Sequence, residues 1–84
     1  MEIRLKPLNY LLRSEITDTD VLENISDDAT AIFIDEDNCW IEVLNNNDNT
    51  FFVPDGWGGT ETNDIDEAKT ALIKFKINNG ISLF

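Results

Sequence analysis

Between Ala29 and Pro54 the chain alternates between apolar, β-branched or aromatic runs and short stretches of Asp and Asn, and this punctuation restricts the fold more than any other feature. The runs Ala29–Ile34, Cys39–Leu44 and Thr50–Pro54 have strand length and strand composition. The gaps, Asp35-Glu36-Asp37-Asn38 and Asn45-Asn46-Asn47-Asp48-Asn49, hold residues that bond their own backbone and tolerate turn conformations. A three-stranded antiparallel meander is the simplest structure these alternations allow. In the central run Cys39, Ile41 and Val43 share one face and Trp40, Glu42 and Leu44 the other, because successive strand side chains point to opposite sides. The first set is uniformly apolar and is assigned to the core, packed with Phe33 and with Phe51 or Phe52. Trp40 is then expected on a more open face beside Glu42.

Two helices flank the meander. Asp64 to Asn78 places Ile65, Ala68, Ala71, Leu72 and Phe75 on one face at helical spacing. Asp64 with Glu67 resembles a capping box, Lys74 and Lys76 suit the negative end of the dipole, and Asn79-Gly80 suits a left-handed cap. A shorter helix near 18–26 has Thr17 or Asp18 as cap and Val21, Leu22 and Ile25 as its apolar face. It is too short to persist without packing on the sheet. The N-terminal segment reads as a strand over Ile3–Leu5 followed, after Pro7, by irregular or short helical structure, and a second strand after a bulge fits nearly as well. Residues 55–63 read as a loop, and the apolar tail Ile81–Phe84 as a possible last strand. The expected fold is therefore α+β: a three- to four-stranded antiparallel sheet (meander 29–54) packed by a C-terminal helix (about 64–78), with a short helix near 18–26, in a single compact acidic domain over 1–84.

A hydrophobic content of 42% suits one globular core and not a wholly disordered chain. No apolar run approaches the ~20 residues of a membrane span, and the charged start Met1-Glu2-Ile3-Arg4 is unlike a secretory leader. The lone Cys39 closes no internal disulfide, so the expected setting is a reducing, bacterial cytoplasm.

Enzymatic motifs are missing. Without histidine, the usual general base and the commonest zinc ligand are both absent. Cys39 lacks a His partner and reads as a small core residue. Asp35-Glu36-Asp37-Asn38-Cys39-Trp40 begins like a calcium loop, but Trp40 replaces the glycine and Asn46 the closing Glu. Asp55-Gly56-Trp57-Gly58-Gly59 matches neither a P-loop nor a dinucleotide fingerprint. No catalytic residue, metal or cofactor is expected. Trp57 is read either as a cover on the last helix or as an exposed aromatic anchor for a partner.

The charge distribution carries the functional expectation. The net charge is −11; no Lys or Arg occurs between Ser14 and Ala68, while all of the seventeen Asp and Glu except Glu2 fall there. Asp18 and Asp20, Asp27 and Asp28, Asp35, Glu36 and Asp37, and Asp64, Asp66 and Glu67 are expected to present rows of negative charge at a density like that of nucleic-acid phosphates, one about every 3.4 Å along a strand. Such a surface attracts a basic groove and speeds the encounter at low salt. In size, charge and lack of catalytic motifs the chain resembles the small acidic proteins with which phages block CRISPR effectors or restriction enzymes. That resemblance implies a non-enzymatic inhibitor whose partner is a basic protein, a nucleic-acid-binding nuclease or effector complex, with no direct contact to nucleic acid or membrane. An immunity protein that neutralises a basic nuclease toxin satisfies the same electrostatics, and a domain whose acidity serves only solubility is the remaining reading.

Overall fold

The computed structural model describes residues 6–44, 50–56 and 58–81. The proposed strand over Ile3–Leu5, the Asn-rich connection 45–49, Trp57 and the end of the C-terminal tail lie outside the described residues. The fold is α+β. Five strands, β1 (Asn9–Leu12), β2 (Ala29–Ile34), β3 (Trp40–Leu44), β4 (Phe51–Val53) and β5 (Thr60–Thr62), form one antiparallel sheet in the order β1-β2-β3-β4-β5. Helix α1 (Thr19–Asn24) follows β1 after a single 3-10 turn, and α2 (Ile65–Asn78) follows β5.

The sheet has two more strands than the meander at its centre. Residues 8–12 carry leucines at helical spacing, yet Asn9–Leu12 pairs with β2, Tyr10 opposite Phe33 and Leu11 opposite Ile32. Pairing with a strand already in place outweighs the weak preference of so short a segment. Thr60–Thr62 shows no apolar alternation and reads as loop, but it closes onto β4 with Phe51 opposite Thr62 and Val53 opposite Thr60. Gly59 makes that return possible. Its φ is +123°, and a Cβ there would lie 2.4 Å from the Val53 carbonyl oxygen and 2.6 Å from the Phe52 ring.

Both sheet faces are covered, which corrects the expectation of one open face. On one side α2 packs over β3, β4 and β5, burying Cys39, Ile41, Val53, Ala68 and Leu72, with Phe33, Phe51 and Phe75 against them. The other side is closed by Ile16, Val21 and Ile25 from α1 and its flanks, set on Ala29, Ile32 and Ile34 with Trp40 and Leu44. Trp40 is half-buried there and Glu42 is wholly buried. Each helix therefore has its own sheet face, and the short helix gains the packing it needs.

The helix ends follow local chemistry. Asp18 caps α1, its carboxylate accepting from the Asp20 and Val21 amides. Asp64 caps α2 by accepting from the Asp66 amide. Glu67 does not complete a capping box: its carboxylate takes the Thr62 hydroxyl at 2.7 Å, and that hydroxyl oxygen accepts the Asp64 amide. At the far end the Ile81 amide reaches the Lys76 carbonyl and the Gly80 amide the Ile77 carbonyl, with Gly80 at φ +69°. This is a Schellman cap, and it sets Ile81 against the α2 core.

Candidate functional site

The β2–β3 turn does not present a free acidic row. The Asp35 carbonyl accepts the Asn38 amide and Asn38 adopts φ +57°, so the loop is a type I turn closed by a left-handed residue. One Asp35 oxygen accepts the Asp37 and Cys39 amides; the other meets the Lys76 ammonium at 2.5 Å. Both side chains of that pair are fully buried. Asp37 bridges Lys76 at 3.2 Å and Lys6 at 2.8 Å, and Lys6 also reaches Glu36 at 3.4 Å. Of the three turn acids expected at a partner surface, Asp35 is thus a core group, Asp37 is exposed but joins two lysines, and Glu36 is the most exposed.

Lys76 was placed by sequence at the helix end as a dipole partner, but it stands inside. The signal was present: Ala68, Leu72 and Lys76 fall at successive i+4 steps on the buried row of α2. Lys6 has no comparable signal, since its partners lie across the sheet end.

Burial pulls the Lys76 ammonium down, but its bonds to Asp35 and Asp37 outweigh this and leave its pKa raised from the ordinary 10.5. The Asp37 bond likewise raises Lys6, and the Lys6 bond, reinforced by Lys76, lowers Asp37 from the ordinary 3.8. A raised lysine contributes stability that is complete below its unfolded pKa and lost as pH rises through the folded one. A depressed carboxyl contributes stability present above its unfolded pKa and lost as pH falls through the folded one. The stability difference between the parent chain and Asp37→Asn is therefore expected to be largest between about pH 5 and 9.5 and to shrink on both sides. Urea unfolding across pH checks this, and a difference that stays constant down to about pH 2.5 contradicts it. Cys39, buried beside this cluster, has its thiol pushed up by burial and then by the Asp35 charge, the opposite of an activated nucleophile.

Glu42 is the second polar group that sequence reading misplaced. It is 0% exposed, and its oxygens accept the Ser26 amide and the Trp40 indole N–H, each at 3.1 Å. It fastens the end of the α1 segment to the middle of the sheet, which is a structural task.

The acids that remain outward gather by topology. The exit of β1, the entry of β2, the exit of β3, the entry of β4 and the exit of β5 all lie at one end of the sheet. Glu15, Asp27 and Asp28, and Asp64, Asp66 and Glu67 adjoin those points and are exposed. None of them is in an ion pair among the described residues. Asp28 before β2 and Asp64 after β5 are three strand spacings apart, roughly 14 Å. The cation nearest Asp27, Arg13, gives its guanidinium to the Ala29 and Ser26 carbonyls at 2.8 and 2.6 Å. Lys69 stands a turn further along α2 and is exposed. Asp18 and Asp20 are exposed at the start of α1. Lys6 and Lys76 lie at the opposite end, on the turn acids.

No family model, curated protein or solved structure matches the chain. The residues themselves are what a functional reading has to work from. Among the described residues no three Asp, Glu or Cys side chains converge as a metal would need, and no helix is long and apolar enough to cross a membrane.

Proposed function

We propose that the chain is a non-enzymatic acidic binding protein that occupies a basic, nucleic-acid-binding surface of a partner protein, as some phage inhibitors of CRISPR effectors and restriction enzymes do. One observation carries the reading: the molecule is electrically polar along its strands. Lys6, Lys76 and the acids they pair with are gathered at the β2–β3 turn, while the other end exposes Glu15, Asp27, Asp28, Asp64, Asp66 and Glu67 with no ion pair among the described residues. Self-repulsion among these carboxylates opposes folding, and a basic groove relieves it. The roughly 14 Å from Asp28 to Asp64 matches some four phosphate steps of one nucleic-acid strand. Relative to the sequence reading, Asp35 and Asp37 leave the contact surface, and Glu15 enters it.

Affinity capture from bacterial lysate, with mass spectrometry, is expected to recover a nucleic-acid-binding protein that free DNA or heparin displaces. The complex should weaken at least tenfold between low and physiological salt, as exposed charge pairs are screened. Reversing Asp27 and Asp28, or Asp64 and Asp66, to Lys is expected to cost at least tenfold in affinity while preserving the far-UV CD spectrum; Glu36→Lys should cost little. Affinity indifferent to salt and to both reversals would remove the proposal.

A further inference from the structure

On the α1 side of the sheet the packed core centres on β2, and a cavity of about 610 Å³ lies next to it, over β3 and β4. That volume is within the range of ordinary ligand sites. Trp40 and Glu42 share this face of β3, and Phe52 stands opposite Glu42 on β4. Trp40, Phe52 and Pro54 are half-buried and give the cavity an apolar wall. The charged residues of the lining are Glu42 and Asp55, and no Lys or Arg is among them. Glu42 accepts the Ser26 amide and the Trp40 indole N–H, yet no cation pairs with it among the described residues. Asp35, the other buried acid among them, has Lys76. A buried carboxylate without a countercharge acts at close to full strength on whatever low-dielectric space adjoins it. Its bond to the indole N–H also pushes electron density onto the Trp40 ring, and the face of such a ring attracts cations.

We propose that this cavity receives an arginine side chain of a partner protein, its guanidinium stacked on the Trp40 indole. The lining selects that occupant. An anion would meet Glu42 and Asp55 with no cation to hold it. An apolar side chain would exclude water from the cavity and leave the Glu42 charge uncompensated. A cation avoids both costs, and a flat one covers the indole plane while its edge N–H groups face a rim of asparagine and serine residues. Lysine carries the same charge on a compact, strongly hydrated head and gains less from the ring. Glu42 acts through the indole and touches no ligand atom. The proposal takes the basic partner from the reading above but none of its residues, since Trp40, Phe52 and Pro54 are no part of the acidic end.

Titration of the isotope-labelled full chain with acetyl-argininamide, from about 0.1 to about 50 mM at fixed ionic strength, tests this through the Trp40 indole N–H resonance. Trp57→Phe distinguishes that resonance from the other indole. The expected result is a saturable shift with a millimolar Kd. Acetyl-lysinamide, of equal charge, should bind at least about threefold more weakly, and the neutral citrulline analogue at least about fivefold. Trp40→Leu should abolish the arginine preference. Glu42→Gln should at least halve the arginine-to-citrulline ratio, which a purely structural role would leave alone. The three ligands are compared on the parent chain, so they decide the matter even where a variant does not fold. An indole resonance that does not move overturns the proposal, as does equal affinity for arginine and citrulline or for arginine and lysine. Reversing Asp64 and Asp66 to Lys should leave this titration within about twofold, so the cavity and the acidic end fail separately.

Discussion

Lys76→Met is expected to destabilise the domain by about 3–5 kcal/mol, the usual consequence of stripping one partner from a buried ion pair. The methionine fills the volume of the lysine stem, so the loss is electrostatic: Asp35, fully buried, keeps its two amide donors but has no cation at 2.5 Å. Asp37 still has Lys6. A domain of this size has a total stability of roughly 4–13 kcal/mol, so the substitution removes a large share of it. The melting temperature should fall by about 15 °C or more. Adding Asp35→Asn to Lys76→Met should recover part of the loss, because an amide oxygen still accepts the Asp37 and Cys39 amides without a buried charge. A double-mutant cycle from urea unfolding is expected to give a coupling above about 1 kcal/mol. Additive effects, or a loss below about 1 kcal/mol for Lys76→Met alone, would place the pair in solvent-screened surroundings instead.

Gly59→Ala is expected to cost about 3 kcal/mol for two reasons that add. A φ of +123° is open to glycine and strained for alanine. The new methyl would also press on the Val53 carbonyl and the Phe52 ring, neither of which moves without opening the β4–β5 pairing. Gly56→Ala separates the two, since Gly56 has φ +89° but nothing within 4 Å of the position a Cβ would take. It should cost only about 1–2 kcal/mol, the conformational part. Equal losses at the two positions, measured by chemical unfolding, would show that close approach is not the larger cause at Gly59.

These two residues also mark where sequence reading stops. Lys76 and Gly59 both sit where separate elements meet: the last turn of α2 against the β2–β3 turn, and the loop before β5 against β4. The meander strands, the α2 boundaries with Asp64 and Gly80, and Asp18 as the α1 cap were legible because each follows from residues within a few positions of one another. Polarity alternating at period two, apolar residues at period 3.6 and capping side chains are local signals. β1 stayed open between a short helix and a strand after a bulge, and β5 read as loop, since four and three residues have too little preference of their own and become strands only by pairing.

The candidate surface divides in the same way. Sequence by itself determined that the charge is strongly negative, that the cations lie at the chain ends, and that turns and helix starts together carry most of the acids, because composition and local turn and cap chemistry need no third dimension. Only the tertiary structure decided which acids stay in water. Folding brought Lys6 and Lys76 onto Asp35 and Asp37 from 31 to 41 positions away, and burial of Glu42 needed a second helix on the opposite face. Coulombic pairing depends on distance in space and on access to water, and neither is written in the order of residues along the chain.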